Sequence, residues 1–183
     1  MTSPVVCLVQ ARMGSRRFPG KMMADLCGHP VLHWVLTRLA RARRIDRLIL
    51  ATTRESDDDA LVALARDHGV DIHRGSTDDV LDRFAAAART VGAETVVRVC
   101  ADNPLVAPEV VDAAIEAFAD SRPDYAFNHV PRLGLDIVDG LGAEVLDAGL
   151  LANLADRATE PMEREHVTKF IWDRADEFRI LAV

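Results

Sequence analysis

The sequence predicts an α/β fold in which a mostly parallel sheet is flanked by helices, and three observations predict it. Short apolar runs alternate with segments of helical periodicity through the first two thirds of the chain, the pattern of parallel strands joined by right-handed crossovers. The first run, Val5 to Val9, is apolar almost without interruption, as a strand covered on both faces must be. That run passes at once into a stretch, Gln10 to Lys21, rich in glycine and cations, at the strand end where open α/β sheets bind ligands.

Each element follows from local signals. Met22 to Leu26 reads as a short extended piece, and Gly28-His29-Pro30 introduces a helix with Pro30 near its first turn. Val31, Leu32, Val35, Leu36 and Leu39 recur at helical spacing, and Arg38, Arg41, Arg43 and Arg44 crowd the far end, where cations suit the helix dipole. His29 and His33 are four apart, but no third ligand is evident in the sequence nearby, so they read as a cap and a surface residue rather than a metal pair. Leu48 to Ala51 is the second strand, and Ser56-Asp57-Asp58-Asp59 the acidic start of a helix reaching about His68. Val70 to His73 is a short strand. Arg74-Gly75-Ser76 follows it, then a helix from about Thr77 to Val91 whose first turn holds Asp78 and Asp79.

Thr95 to Val99 is the fourth strand and ends in Ala101-Asp102-Asn103-Pro104, before a helix at Pro108 to Phe118. Beyond it the pattern is less regular. Tyr125 to Asn128 reads as a strand and Pro131 to Gly142 as loop or short strand. Ala143 to Arg157 reads as a helix, Met162 to about Asp176 as another, and Phe178 to Val183 as a closing strand.

The loop carries the chemistry. Arg12, Arg16, Arg17 and Lys21 lie in it with no acidic residue among them, while Gly14, Ser15, Pro19 and Gly20 forbid a regular helix. Such a loop calls for an anion. A P-loop requires four residues between its glycines and a Ser or Thr after the lysine; here five residues separate Gly14 from Gly20, and Met22 follows Lys21. The dinucleotide glycine triplet is absent as well. Arg74 and Ser76, just past a strand, are further candidates for ligand contact. Asp102, at the end of a central strand, sits where a magnesium ion could meet substrate phosphates.

Composition bounds the class. The 183 residues fit one domain, 1–183, with no repeat, no low-complexity segment and no long linker. A net charge of -7 and a pI near 5.3 argue against a nucleic-acid or anionic-membrane partner, and the basic loop is a local exception. No apolar run approaches the roughly 18 residues of a membrane span, and no signal peptide precedes the first strand, so a cytoplasmic protein is expected. Cys7, Cys27 and Cys100 are odd in number and never in C-x-x-C, which points to reduced, apolar fillers.

Gln10-Ala11-Arg12-Met13-Gly14-Ser15-Arg16-Arg17-Phe18-Pro19-Gly20-Lys21 resembles the signature loop of the sugar nucleotidyltransferases. Ala51-Thr52-Thr53, Arg74-Gly75-Ser76 with Asp78-Asp79-Val80-Leu81, Val97-Arg98 leading to Asp102-Asn103-Pro104, Gly134-Leu135-Asp136 and Arg164-Glu165-His166-Val167-Thr168 extend the resemblance over nearly the whole chain. The chain is similar to the spore-coat polysaccharide biosynthesis protein F-like family, relatives of the acylneuraminate and 3-deoxy-manno-octulosonate cytidylyltransferases.

The resemblance implies a Rossmann-like, nucleotide-diphospho-sugar transferase fold and transfer of CMP from CTP to a sugar or sugar acid, in surface polysaccharide or glycoconjugate biosynthesis, with release of pyrophosphate. It implies Arg17 on the outgoing phosphates and Lys21 on the α-phosphate as the catalytic cations, and Gln10, Ala11, Arg12, Gly14 and Ser15, with Arg74 and Ser76, as the nucleotide contacts. It further implies Mg2+ on Asp102, and a homodimer formed through residues 121–173. Family members continue past the last strand into a segment resembling V-D-T-x-x-D-L with a second metal carboxylate. The sequence stops at Val183 without one, so a C-terminally short form is expected, with Asp136 or Asp139 as the substitutes at hand. Two other classes compete: a nucleotide-binding module with weak or no turnover, and a nucleotide-sugar glycosyltransferase using Asp57 to Asp59 or Asp102 on its metal.

Overall fold

The computed structural model describes residues 4–15, 17–129, 131 and 136–183. The sheet starts with β1 (Val5–Gln10), which runs into the cation-rich loop. A 3-10 turn at Lys21–Met23 and a small antiparallel pair, β2 (Asp25–Leu26) with β3 (His29–Pro30), then deliver α1 (Val31–Leu39). Alternation follows as expected: β4 (Arg47–Thr53), α2 (Asp59–Asp67), β5 (Asp71–Gly75), α3 (Val80–Thr90), β6 (Thr95–Cys100) and α4 (Pro108–Ser121). The remainder comprises β7 (Tyr125–Phe127), β8 (Glu144–Asp147), α5 (Ala148–Arg157), α6 (Pro161–Glu165), α7 (Lys169–Asp173) and β9 (Ile180–Ala182).

Among the described residues, seven strands share one sheet in the order β5-β4-β1-β6-β8-β7-β9. β1 lies between β4 and β6 and is parallel to both, so its carboxyl end opens where the crossovers on either side diverge. β8 is antiparallel to β6 and to β7, and β7 pairs in parallel with β9. The α/β class and the mostly parallel sheet expected from the sequence are therefore present.

Odd and even residues of β1 feed different cores, as the two-residue period of a strand requires. Cys7 and Val9 pack with α1, α2 and α4, including Leu32, Leu36, Leu61 and Val111. Val6 and Leu8 pack on the other face with α3, α5 and α7, including Phe84, Leu151 and Ile171. Among the described residues no helix is long and apolar enough to cross a membrane.

Two expected helices are corrected. Ala143 to Arg157 is not one helix, because Glu144–Asp147 is taken into the sheet as β8, and the helix begins only at Ala148 with Asp147 as its cap. Pairing on both sides, with Val96 and with Tyr125, overrides a local pattern in which Val145 and Leu146 run on smoothly into the helical spacing. Met162 to Asp176 is likewise broken, at His166, whose φ of -106° and ψ of 93° are extended. The break turns Val167 and Thr168 inward, where Thr168 Oγ1 donates to Glu144 at 2.7 Å. Gly134 and Leu135 of the Gly134-Leu135-Asp136 motif lie outside the described residues, as does Arg16.

Candidate active site

Gly20 makes the loop after β1 turn. Its φ of 74° is left-handed, where a side chain would be strained, and the Met13 carbonyl accepts from the amides of both Ser15 (2.8 Å) and Gly20 (3.2 Å). The loop is tied to the body by a residue from another crossover. Asp58 is 1% exposed; its Oδ1 accepts the Met13 amide at 2.7 Å, and its Oδ2 accepts Thr52 Oγ1 (2.8 Å), the Thr53 amide (3.0 Å) and Thr53 Oγ1 (2.5 Å). Burial pushes the Asp58 carboxyl up, but the hydrogen bonds from Thr53, Met13 and Thr52 outweigh it and hold the group below its ordinary range.

The loop folds over a cleft of about 350 Å³ at the carboxyl ends of β1 and β6. Arg12, Ser15, Arg17 and Lys21 line it from the loop, Gln10 and Ala11 from the end of β1, and Arg98, Cys100 and Asp102 from β6 and its exit. Glu165 and His166, at the end of α6, complete it. Lys21 Nζ donates to Asp102 Oδ2 at 2.8 Å, so the cation of the loop and the carboxylate of the strand end meet directly. Both side chains are partly exposed, which keeps this pair weak and exchangeable. Arg12 spans the cleft, donating to the Thr77 carbonyl at 3.2 Å and pairing with Glu165 at 3.4 Å.

Beneath the cleft lies a buried polar network. Glu144, on β8, accepts from Arg98, Tyr125 and Thr168. Burial pushes its carboxyl up, yet the charges of Arg98 and His129 and the hydrogen bonds prevail and hold it at about 2. Arg98 Nη2 also donates to Gln10 Oε1 at 3.0 Å. Guanidinium is a pure donor, so the carbonyl end of the Gln10 amide is committed to it and the amino end is the part offered to the cleft. Burial pushes the Cys100 thiol up.

The turn after β5 is braced from several sides. Arg83, fully buried, donates from Nη1 to the Ser76 carbonyl, while its Nε and Nη2 have no partner among the described residues. Burial, with Arg12 nearby, draws its guanidinium down to about 10. Arg164 pairs with Asp79 at 2.6 Å, and Asp79 also caps α3 by accepting the Asp82 amide at 2.9 Å.

The structure thus brings Gln10, Ala11, Arg12, Ser15, Arg17, Lys21 and Asp102 to one cleft. Gly14 belongs to the same loop without lining the cleft. Arg74 and Ser76 do not line it either. Arg74 donates to the Thr53 and Glu55 carbonyls and to Asp59, and Ser76 Oγ accepts the Asp79 amide at 3.0 Å. The backbone donors are partly spent as well, since the amides of Ala11, Met13 and Ser15 are hydrogen-bonded within the protein. Asp136 and Asp139 are exposed and outside the cleft lining.

Asp102 is therefore the carboxylate from the sequence reading that faces the cations. A phosphate-bridged magnesium ion commonly takes only one or two protein carboxylates, so this donor set fits such an ion but not a metal held by protein alone. No group of three His, Cys, Asp or Glu side chains arranged to hold a metal occurs among the described residues.

Sequence reasoning missed Asp58, Arg83 and Glu144. Asp58 offers a signal only in hindsight, as the middle one of three aspartates following Thr52-Thr53. Glu144 and Arg83 give none, since each looks like one more charged residue in a surface pattern.

A family model described as cytidylyltransferase matches residues 6–182. The spore coat polysaccharide biosynthesis protein SpsF of Bacillus subtilis (strain 168) is 33% identical over 181 residues, covering 96% of this chain and 73% of the relative. The 3-deoxy-manno-octulosonate cytidylyltransferase of Geobacter sulfurreducens (strain ATCC 51573 / DSM 12127 / PCA) is 37% identical over 119 residues, covering 64% of this chain and 46% of the relative. A solved structure of a cytidylyltransferase from Leptospira borgpetersenii serovar Hardjo-bovis (strain JB197) superposes with a TM-score of 0.89 at 27% identity, covering 100% of this chain and 76% of that one.

Proposed function

Because the chain belongs to the cytidylyltransferase family, we propose that it transfers CMP from CTP to a hydroxyl of a sugar or sugar acid and releases pyrophosphate. The observation that carries this reading is the convergence of Arg17, Lys21 and Asp102 on one cleft at the carboxyl edge of the sheet. The likeness to 3-deoxy-manno-octulosonate cytidylyltransferases supports a sugar acid among the acceptors, and the likeness to SpsF supports a place in polysaccharide biosynthesis.

In this reading the triphosphate lies along the loop. Arg17 binds the outgoing phosphates, where a fork of donors suits two oxygens, and Lys21 binds the α-phosphate as a point charge. Negative charge grows on the phosphoryl oxygens and the leaving group as the acceptor oxygen attacks, and fixed cations stabilise it without reorganising. Gln10 presents its amino group, while Arg12 and Ser15 contact the nucleotide from the loop, with Ala11 and Gly14 supplying backbone. Arg74 and Ser76 act by shaping the neighbouring turn. Asp102 and the triphosphate would together hold Mg2+, which when bound supplies further neutralisation of phosphate charge; Asp136, exposed and outside the cleft lining, would join it as a second carboxylate only if the loop before β8 moved toward Asp102. Lys21 must then release Asp102 as the nucleotide enters. A homodimer through residues 121–173 belongs to the same proposal.

Calorimetry with the four nucleoside triphosphates, followed by a pyrophosphate-release assay with sugar acceptors, tests the reading. CTP should bind in preference to the other three. Equal binding of all four, or none, would overturn it.

A further inference from the structure

We propose that His166 takes the proton from the attacking hydroxyl of the acceptor sugar, an inference that rests on the cytidylyl-transfer reading above. The cleft has two walls, rooted in opposite faces of the sheet. Met13 and Met22 anchor the cation loop in the core beneath α1 and α4, whereas Val167, the neighbour of His166, is buried in the core on the α3 and α5 side. Gln10, Arg98 and Cys100 share that second face, because each lies an even number of residues from Val6, Leu8 or Val96 along its strand. A triphosphate drawn to Arg17 and Lys21 occupies the first wall, with Gln10 reaching the nucleotide from the end of β1, and leaves the His166 end of the second wall for the acceptor.

On that second wall His166 is the side chain free to accept a proton. Asp102 is released from Lys21 when the nucleotide enters and is then committed to Mg2+ in the reading above, Glu165 pairs with Arg12, and Glu144 is buried against Arg98, while burial pushes the Cys100 thiol up and away from the reactive thiolate. Arg17 has no proton-accepting form near neutral pH. The His166 ring is exposed to the cleft, and no side-chain hydrogen bond ties it to any described residue. Imidazole is the side chain that most often serves as a general base.

The break between α6 and α7 that the sequence concealed is what aims this residue. Continuous helix from Met162 onward would keep Val167 and Thr168 from turning into the core, and His166 stands at the corner they create.

The step balances without a further reactant. The acceptor O–H bond breaks as its oxygen bonds to the α-phosphorus, the bond from the α-phosphorus to the bridging oxygen breaks, and pyrophosphate leaves with that electron pair. The proton stays on the imidazole, which becomes imidazolium beside Glu165 and is returned to water after release.

The test uses the full chain with CTP, Mg2+, and either 3-deoxy-manno-octulosonate or a panel of neutral hexoses, following pyrophosphate release across about pH 5 to 9. His166→Gln should lower kcat by roughly 100- to 10,000-fold and remove the acid limb of the kcat/KM profile, leaving CTP affinity by calorimetry unchanged. Added imidazole should restore part of the turnover of His166→Ala, which a purely structural role would not allow. Wild-type kcat in His166→Gln with the acid limb intact overturns this inference alone, as does loss of CTP binding, which would put His166 in the nucleotide wall. No pyrophosphate from the wild type with any acceptor overturns the cytidylyl-transfer reading and this inference together.

Discussion

Asp58 Oδ1 accepts the Met13 amide at 2.7 Å, so a carboxylate that follows β4 fixes the backbone of the loop that follows β1. The two elements are neighbours in the sheet, and the other oxygen of the same carboxylate is held by Thr52 and Thr53 at the end of β4. One buried group therefore sets where the cations Arg17 and Lys21 start from. The position of the candidate site is a property of two crossovers and not of the glycine-rich loop alone.

Asp58→Asn should loosen that joint. An amide nitrogen at the Oδ2 position would face the Thr53 N–H, donor against donor, and turning the amide over would place the clash at Met13 instead. Leaving one buried donor unsatisfied costs about 1–3 kcal/mol. The expected result is a lower denaturation midpoint with weaker CTP binding. A wild-type midpoint with weakened binding would locate the whole effect in the loop, and no change in either would show that Asp58 is dispensable.

The first two thirds of the fold were legible because each strand and helix there carries its own period, and the crossovers are short. Gln10 to Lys21 was legible for a different reason, since four cations in a glycine-broken loop without a carboxylate are conspicuous in any sequence. The Lys21 and Asp102 meeting follows from parallel β1 and β6 lying side by side, a strand order that alternation alone does not specify. What escaped was set by long-range pairing. β8 is inserted between β6 and β7, so Glu144 reaches Arg98 only after the antiparallel register is formed. His33 and His68 come within 3.1 Å, a partnership invisible between residues on separate helical segments. The acidic run Asp57 to Asp59 has in sequence the look of helix dipole stabilisation, and only burial sets its middle member apart.

Glu144 makes stability sensitive to acid. Its carboxyl is held at about 2 in the fold against an ordinary value of 4.5, so unfolding at intermediate pH takes up a proton. The contribution is fully present above about pH 4.5 and is lost as pH falls towards 2, a difference on the order of 3 kcal/mol. Glu144→Gln should remove that pH dependence and destabilise the protein by roughly 3–5 kcal/mol at neutral pH, because Arg98 is left buried without its counter-charge. Chemical denaturation of both proteins across this range checks it, and parallel pH profiles would contradict the assignment.

Gly75→Ala addresses the braced turn. A Cβ at Gly75 would stand 2.7 Å from Arg83 Cγ and 3.1 Å from its Cβ, near the stem of the side chain where little can give. Arg83 must shift, and its hydrogen bond to the Ser76 carbonyl goes with it. A loss of about 1–3 kcal/mol is expected, as for other overpacked sites. If the Gly75→Ala, Arg83→Ala double variant is no less stable than Arg83→Ala alone, the clash with Arg83 is the cause; additive losses would point elsewhere.

Lys21→Ala should lower pyrophosphate release by roughly 100- to 1000-fold, the loss of one fixed charge at the developing phosphate charge. Lys21→Arg should rescue it only in part, because a planar fork does not reproduce a point charge. The paired state of Lys21 adds a second readout. Removing it frees the Asp102 carboxylate, so weak Mg2+ binding in the absence of nucleotide should increase in Lys21→Ala. Wild-type turnover in Lys21→Ala would reduce Lys21 to a solvated partner of Asp102.

The metal question turns on Asp102, Asp136 and Asp139. A magnesium ion prefers near-octahedral oxygen coordination and, when it bridges phosphates, needs few protein carboxylates, so Asp102 should hold it only together with the triphosphate. Asp102→Asn should abolish the magnesium-dependent part of CTP binding. Asp136→Asn and Asp139→Asn, both exposed and outside the cleft lining, should leave it nearly unchanged if neither supplies a second ligand. CTP titrations with and without Mg2+ on the three variants separate the cases. A large loss from Asp136→Asn would place a second carboxylate on the loop before β8, which must then swing toward Asp102 when nucleotide binds. CTP binding by the wild type that does not depend on magnesium would remove Asp102 from the ligand role and leave its ion pair with Lys21 as its whole function.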